Sequence, residues 1–199
     1  MPRPKQVTDK ELLNTALECF LKHGPNVSTQ IIADKVGLSQ PALFKRFGTK
    51  KELFLRAVVP SEDLPVLDWI NSSPIPGPFR PQFEQLLINV LDTLTWVLPR
   101  IQLLQAARIP RKVVMARYKT PPPIMLTRSI AGFFKRAEQM GYLRNNLNPL
   151  FLAQSVFGVL MGRSFQNQIA NHKVTSKDDS AFIESTVKFL CKGIVNDSD

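Results

Sequence analysis

The sequence predicts an all-α chain. No stretch alternates apolar and polar residues with the period of two that a half-buried strand shows. Apolar residues recur instead at spacings of three and four. The segments that carry them open on Ser or Thr and close on Gly or Pro, the residues that start and stop helices. The expected organisation is a small three-helix domain over residues 1–58, with a fourth helix as linker, and a larger helical bundle over residues 59–199.

Thr8-Asp9-Lys10-Glu11 is a capping box and opens the first helix. That helix is expected to run to about His23, with Leu13, Ala16, Leu17 and Phe20 on one face, and to end at Gly24-Pro25. The preceding arm, Met1 to Val7, carries Arg3 and Lys5. It is either a basic arm that reaches a minor groove or phosphates, or an ordinary frayed terminus. Ser28 caps a second helix with Ile32, Ala33 and Val36 inward, and Gly37 supplies the positive φ of a tight turn. Ser39 caps a third helix. Pro41 lies in its first turn, where no intrahelical N–H bond is lost. Leu43 and Phe47 face the core, which leaves Gln40, Ala42, Phe44, Lys45 and Arg46 outward or at the rim. Gly48 ends this helix, and Thr49 to Glu52 form a second capping box. Two short helices, a tight turn and an outward polar face make the layout of a helix-turn-helix.

Pro60, Pro65 and the Pro/Gly-rich stretch Ser72 to Pro81 mark a boundary region. A long helix is expected from Phe83, kinked or ended by Pro99, with a shorter one over Arg100 to Arg108 and another over Arg111 to Lys119. After Pro121-Pro122-Pro123, helices are expected over Ile124 to Met140, from Asn148-Pro149 to about His172, and from about Lys177 to Val195. Phe83, Leu87, Leu91, Leu94, Met125, Phe133, Phe157 and Met161 either line an apolar effector pocket or pack as core. Phe151 to Met161 is apolar on more than one face. That surplus points to burial against a second copy, with Phe151, Val156, Leu160, Phe182, Val187 and Leu190 as interface candidates.

The net charge is +10, with 10 basic and 5 acidic residues in positions 1–58 and 16 basic and 11 acidic beyond. A dense basic excess in a small domain suits a polyanion. Residues 93–137 hold nine basic and no acidic residues, read either as a portal for an anionic effector or as a solvated face lying toward DNA. No apolar run approaches the roughly 18 residues of a membrane span. Cys19 and Cys191 have no metal-like or redox-like neighbours, in keeping with a reduced, cytoplasmic setting. His23 and His172 lie at expected helix ends without carboxylate partners nearby in sequence. With no Gly-rich phosphate loop, nucleophile elbow or metal-spaced cluster, the sequence points to no enzyme, no metal and no cofactor.

Ser28 to Phe54 resembles the DNA-binding domain of the TetR (tetracycline-repressor-like) family of bacterial transcription regulators. The resemblance rests on Ser28, Ile32, Ala33, Val36-Gly37-Leu38-Ser39, Leu43, Phe44, Phe47, Lys50, Glu52, Leu53 and Phe54. It implies a ligand-responsive, homodimeric repressor on a palindromic operator, with effector binding and dimerisation in the C-terminal bundle. Its implied partners are double-stranded DNA, a second copy of the chain and a small-molecule effector, apolar or anionic. Gln40 and Ala42 are then expected to read adenine and a thymine methyl. Ser28, Thr29, Lys45, Arg46 and Lys50 are expected on phosphates, and Phe44 either on sugar-phosphate or in the core. Pro41, Ala42, Phe44 and Arg46 stand where the family commonly has Gly, Thr, Tyr and His. The other reading is a small-molecule binding or carrier protein whose helix-turn-helix is purely structural.

Overall fold

The computed structural model describes residues 7–62, 64–169 and 176–195. Arg3, Lys5 and His172 lie outside the described residues. Ten helices appear among the described residues: α1 (Asp9–His23), α2 (Thr29–Val36), α3 (Gln40–Phe47), α4 (Lys50–Val58), α5 (Pro65–Ser72), α6 (Phe79–Ala106), α7 (Arg111–Met115), α8 (Pro122–Gln139), α9 (Pro149–Ile169) and α10 (Ser176–Ile194). Outside the helices, Leu143 and Val195 form an isolated antiparallel bridge. The chain divides into two compact units, one of Met1–Ser61 with Pro99–Arg117, the other of Glu62–Leu98 with Tyr118–Asp199.

The first unit packs α1 against α2 and α4, and α3 against α2 and α4. The α1 capping box forms as expected: Thr8 accepts from the Glu11 N–H, and the Glu11 carboxylate accepts from the Thr8 N–H. The buried face of α1 is Leu12, Ala16, Cys19 and Phe20, one position round from the expected face, with Leu13 and Leu17 half-buried at its edge. The Phe20 ring meets Phe54 edge-on at 4.9 Å, which ties α1 to α4. The second capping box forms by half. Thr49 accepts from the Glu52 N–H, but the Thr49 N–H donates to Phe47 and the Glu52 carboxylate turns to arginines.

Those arginines bring in the second segment of this unit. Arg117 Nη2 donates to Glu52 Oε2 and Oε1 at 3.1 and 3.3 Å, and Arg56 Nε donates to Oε1 at 3.2 Å. Burial pushes the Glu52 carboxyl up, but these hydrogen bonds and charges outweigh it and hold the group below the ordinary carboxylate value. Leu103, Leu104 and Val114 of the same segment are buried. Arg100 is buried too, and desolvation lowers its pKa to about 10.

Instead of stopping at Pro99, α6 runs through it to Ala106. Proline removes one backbone N–H bond. Buried Leu94, Leu103 and Leu104 on either side hold the helix in place regardless.

The second unit is centred on α8, which packs against α5 and α9. Its interior holds a run of rings. Phe79 lies against Phe83, Phe133 and Tyr142 at 5.6–6.0 Å, and Phe133 meets Phe134 edge-on at 5.7 Å. The Tyr142 hydroxyl accepts from the Gly77 N–H at 3.0 Å. Arg136 reaches out of α8 and donates to the Ser73 and Ile70 carbonyls at the end of α5, at 2.8 Å from Nε and 2.6 Å from Nη2 respectively. Arg163 of α9 pairs with Asp179 of α10 at 2.8 Å and lies 5.0 Å from the centre of the Phe182 ring. Phe133 has no exposed surface. Phe133→Ala is therefore expected to cost about 3–5 kcal/mol of stability in urea unfolding. A loss below about 1 kcal/mol would mean the ring cluster is not the packing centre of this unit.

Candidate nucleic-acid interface

The candidate interface is built on the α2–α3 turn. Ser28 caps α2 by accepting from the Gln30 N–H at 3.2 Å. The eight-residue helix closes at Gly37, whose φ is +71°. Gly37 N–H donates to Asp34 and Leu38 N–H to Ala33, the paired bonds of a Schellman turn. The chain reverses within two residues, and Ser39 caps α3 by accepting from Ala42 N–H at 3.3 Å. Gly48, at φ +74°, ends α3, and Thr49 starts α4.

Leu43 and Phe47 are buried and fix the roll of α3 about its axis. The opposite side bears Pro41 and Lys45, both exposed, with Gln40, Ala42, Phe44 and Arg46 half-buried at the flanks. Lys50 is half-buried and Lys51 exposed on the first turn of α4. The turn therefore sets α3 across the surface with basic groups at its end and at the start of α4. Such a helix can enter a major groove while the lysines meet phosphates.

Among the expected contact residues, Ser28 and Lys45 are exposed, and Gln40, Ala42, Phe44, Arg46 and Lys50 are half-buried. Thr29 differs. It is buried, and its hydroxyl accepts from Gln40 Nε2 at 2.5 Å. The two residues form a brace between α2 and α3. Arg46 is also engaged: Nη1 donates to the Val7 carbonyl at 2.6 Å and lies 3.5 Å from Asp9 Oδ1. Its side chain is 30% exposed, so the guanidinium fastens the start of α1 to α3 and keeps one edge in solvent. No sequence signal announces either contact. Gln40 and Thr29 sit eleven positions apart, Arg46 and Val7 thirty-nine, and both pairings depend on the tertiary packing.

The other expected sites lie in the second unit. Phe83, Leu87, Leu91, Leu94 and Phe133 are buried in one hydrophobic cluster, with Met125, Phe157 and Met161 half-buried against it. Of the expected interface residues, Val156, Leu160 and Val187 are buried in that same core, Phe182 and Leu190 are half-buried, and Phe151 is exposed. The outward face of α9 carries Phe151, Gly158, Val159, Gly162, Phe165 and Ile169. A surplus of apolar residues on this helix was legible in the sequence. Its rotation is set by packing, which turns Val156 and Leu160 inward and leaves Phe151 outward.

Residues 12–57 match the family described as bacterial regulatory proteins, tetR family. The match runs from within α1 to within α4 and so covers the helix-turn-helix segment. No curated protein matches the sequence. Among solved structures, a TetR-family transcriptional regulator from Pseudomonas syringae pv. tomato aligns over 95% of this chain and 99% of its own, with 19% identity and a TM-score of 0.64. A Mesorhizobium loti chain assigned to the same family covers 94% and 96%, at 21% identity and a TM-score of 0.73. SmeT in complex with triclosan covers 97% and 94%, at 17% identity and 0.67. SmeT is the repressor of the Stenotrophomonas maltophilia multidrug efflux pump SmeDEF. At these identities the likeness is one of fold, and it extends over both units. TetR-family regulators are ligand-responsive, DNA-binding transcriptional regulators that act as dimers, which disfavours the carrier reading. No helix among the described residues is long and apolar enough to cross a membrane.

Lys50 is expected to serve phosphates and Gln40 a base. Lys50→Ala should weaken binding to all duplexes alike and flatten the salt slope by about one. Gln40→Ala should relax preference at one base position by about 1–3 kcal/mol. Fluorescence anisotropy with single-base operator variants across a salt series separates the two. Unchanged slope and unchanged preference would remove both assignments.

Proposed function

We propose that the chain is a homodimeric repressor that binds a palindromic operator and is controlled by a small-molecule effector. The observation that carries this reading is α3, a short helix pinned at both ends by glycine turns and serine or threonine caps, with its polar side outward. Two copies related by a two-fold axis would place these helices in successive major grooves about 34 Å apart. Gln40 and Ala42 face bases in this arrangement. Ser28, Lys45 and Lys50 meet phosphates, and Phe44 rests on the sugar-phosphate edge. Arg46 contributes its solvent edge while it secures α1. Thr29 acts by holding Gln40.

The dimer face is the outward stripe of α9 with Phe189 of α10. Phe151, Phe165, Ile169 and Phe189 are 53–78% exposed, a concentration of bare apolar surface that a second copy would cover. Gly158 and Gly162 lie on the same stripe, and a side chain at either would meet open space. The bulky residues flank a shallow middle into which a partner helix fits.

The effector is apolar or anionic and lodges against the second unit's aromatic core. Half-buried Met125, Phe157 and Met161 form the approachable edge of that core. Phe83, Leu87 and Phe133 have no exposed surface, so entry displaces packed side chains and favours one conformation over another. The triclosan complex of SmeT is a precedent in a protein of the same fold. A cytoplasmic location and the absence of catalysis accompany this reading.

Selection of duplexes from fragmented bacterial genomic DNA tests it, together with light scattering of the purified chain. A dimer that enriches one inverted-repeat site is expected. A monomer that enriches no site would overturn the proposal. Phe165→Glu with Phe189→Glu is expected to give a folded monomer with much weaker operator binding. A dimer that survives both changes would place the interface elsewhere.

A further inference from the structure

We propose that the turn between α6 and α7 is a second DNA-backbone contact, in which Arg108, Arg111 and Lys112 bind phosphates of the duplex. This rests on the DNA-binding reading of the first unit. It adds a surface outside the helix-turn-helix.

The first argument is where the charge lies. Residues 1–61 and 99–117, which make up the first unit, hold 15 basic and 5 acidic residues. The second unit holds 11 of each. The entire net charge of +10 therefore sits on the unit that carries the helix-turn-helix. Half of it comes from residues 99–117, which contain five basic residues and no acidic one.

The five are not equivalent. Arg100 is buried, and Arg117 is committed to Glu52. Arg108, Arg111 and Lys112 are exposed, and among the described residues none of their side chains has a hydrogen-bond or ion-pair partner. Three exposed cations fall within five positions of a segment that has no acidic residue, and like charges repel where they approach within the screening length of about 8 Å at physiological salt. A polyanion relieves that repulsion, and a guanidinium matches a phosphate bidentately.

The backbone gives an independent argument. Arg108 sits at φ +52°, in the left-handed region that glycine occupies without strain. Its N–H donates to Gln105 at 2.9 Å and the Ile109 N–H to Leu104 at 3.0 Å, which closes the turn on a residue poorly suited to it. A long cation at a φ that favours glycine points to a use for the side chain. The turn is also firmly based. Leu103, Leu104 and Val114 are buried beside it, and Arg117 fastens the segment to the first turn of α4, two residues from Lys50.

The full chain would be titrated with salt on a short fluorescent duplex of arbitrary sequence, which reads backbone contacts without an operator. Arg108→Gln with Arg111→Gln and Lys112→Gln is expected to reduce the salt slope by about 2–3 and the affinity by roughly tenfold or more. Lys45→Gln with Lys50→Gln provides the reference for the helix-turn-helix. If that reference loses slope and the triple variant does not, the second contact is overturned and the DNA-binding reading stands. If the wild-type chain fails to bind at low salt, both fall. Arg108→Gly separates the side chain from the turn: the thermal midpoint should rise as strain is relieved, while the salt slope falls by about one. A raised midpoint with an unchanged slope would also overturn the proposal.

Discussion

The left-handed turn at Gly37 is the constraint on which the candidate interface depends. A Cβ at this φ would be strained even though nothing lies within 4 Å of it. Glycine lets the chain close α2 with two Schellman bonds and start α3 two residues later under the Ser39 cap. Because the link is so short, the angle between α2 and α3 is set by backbone bonds. Burial of Ile32, Ala33, Leu43 and Phe47 then fixes which side of each helix faces out. The Gln40–Thr29 hydrogen bond spans the same joint from the side-chain level. Recognition chemistry on α3 is thus held by an assembly that would lose its geometry if the turn relaxed.

Around this turn the charged groups divide their roles by burial. Arg46 and Arg117 have local carbonyl or carboxylate partners and serve to hold helices together. Lys45, Lys51, Arg111 and Lys112 are exposed in the same unit. Glu52 shows how such roles change with context. Its sequence position suits the reciprocal half of a capping box, which is worth little at an exposed helix start. Two arginines offer more to a carboxylate, and the Thr49 N–H finds the Phe47 carbonyl instead. The result is an ion-paired link from α4 to the segment that follows α6.

Much of the N-terminal unit was legible because its signals are local. The caps at Thr8, Ser28, Ser39 and Thr49 and the stops at Gly24, Gly37 and Gly48 fall where the sequence places them. The family's framework residues coincide with that pattern, so fold class and family could be read together. What was not legible depends on packing between distant segments. Pro99 reads as a helix breaker, but the apolar residues on both sides of it hold α6 continuous. The apolar surplus of α9 is visible in the sequence but its orientation is not: Val156 and Leu160 face the core while Phe151 faces out. Thr29 and Arg46 have the chemistry of phosphate ligands, and only the fold reveals that Gln40, Val7 and Asp9 have prior hold on them.

On the proposed reading, α3 is the element that meets DNA. Amide hydrogen exchange of the full chain, with and without a selected operator duplex, tests this most directly. Strong protection on DNA addition is expected across Ser39 to Arg46 and at the first turn of α4, Lys50 to Glu52. Exchange in those two stretches that is unchanged by a bound duplex would contradict it.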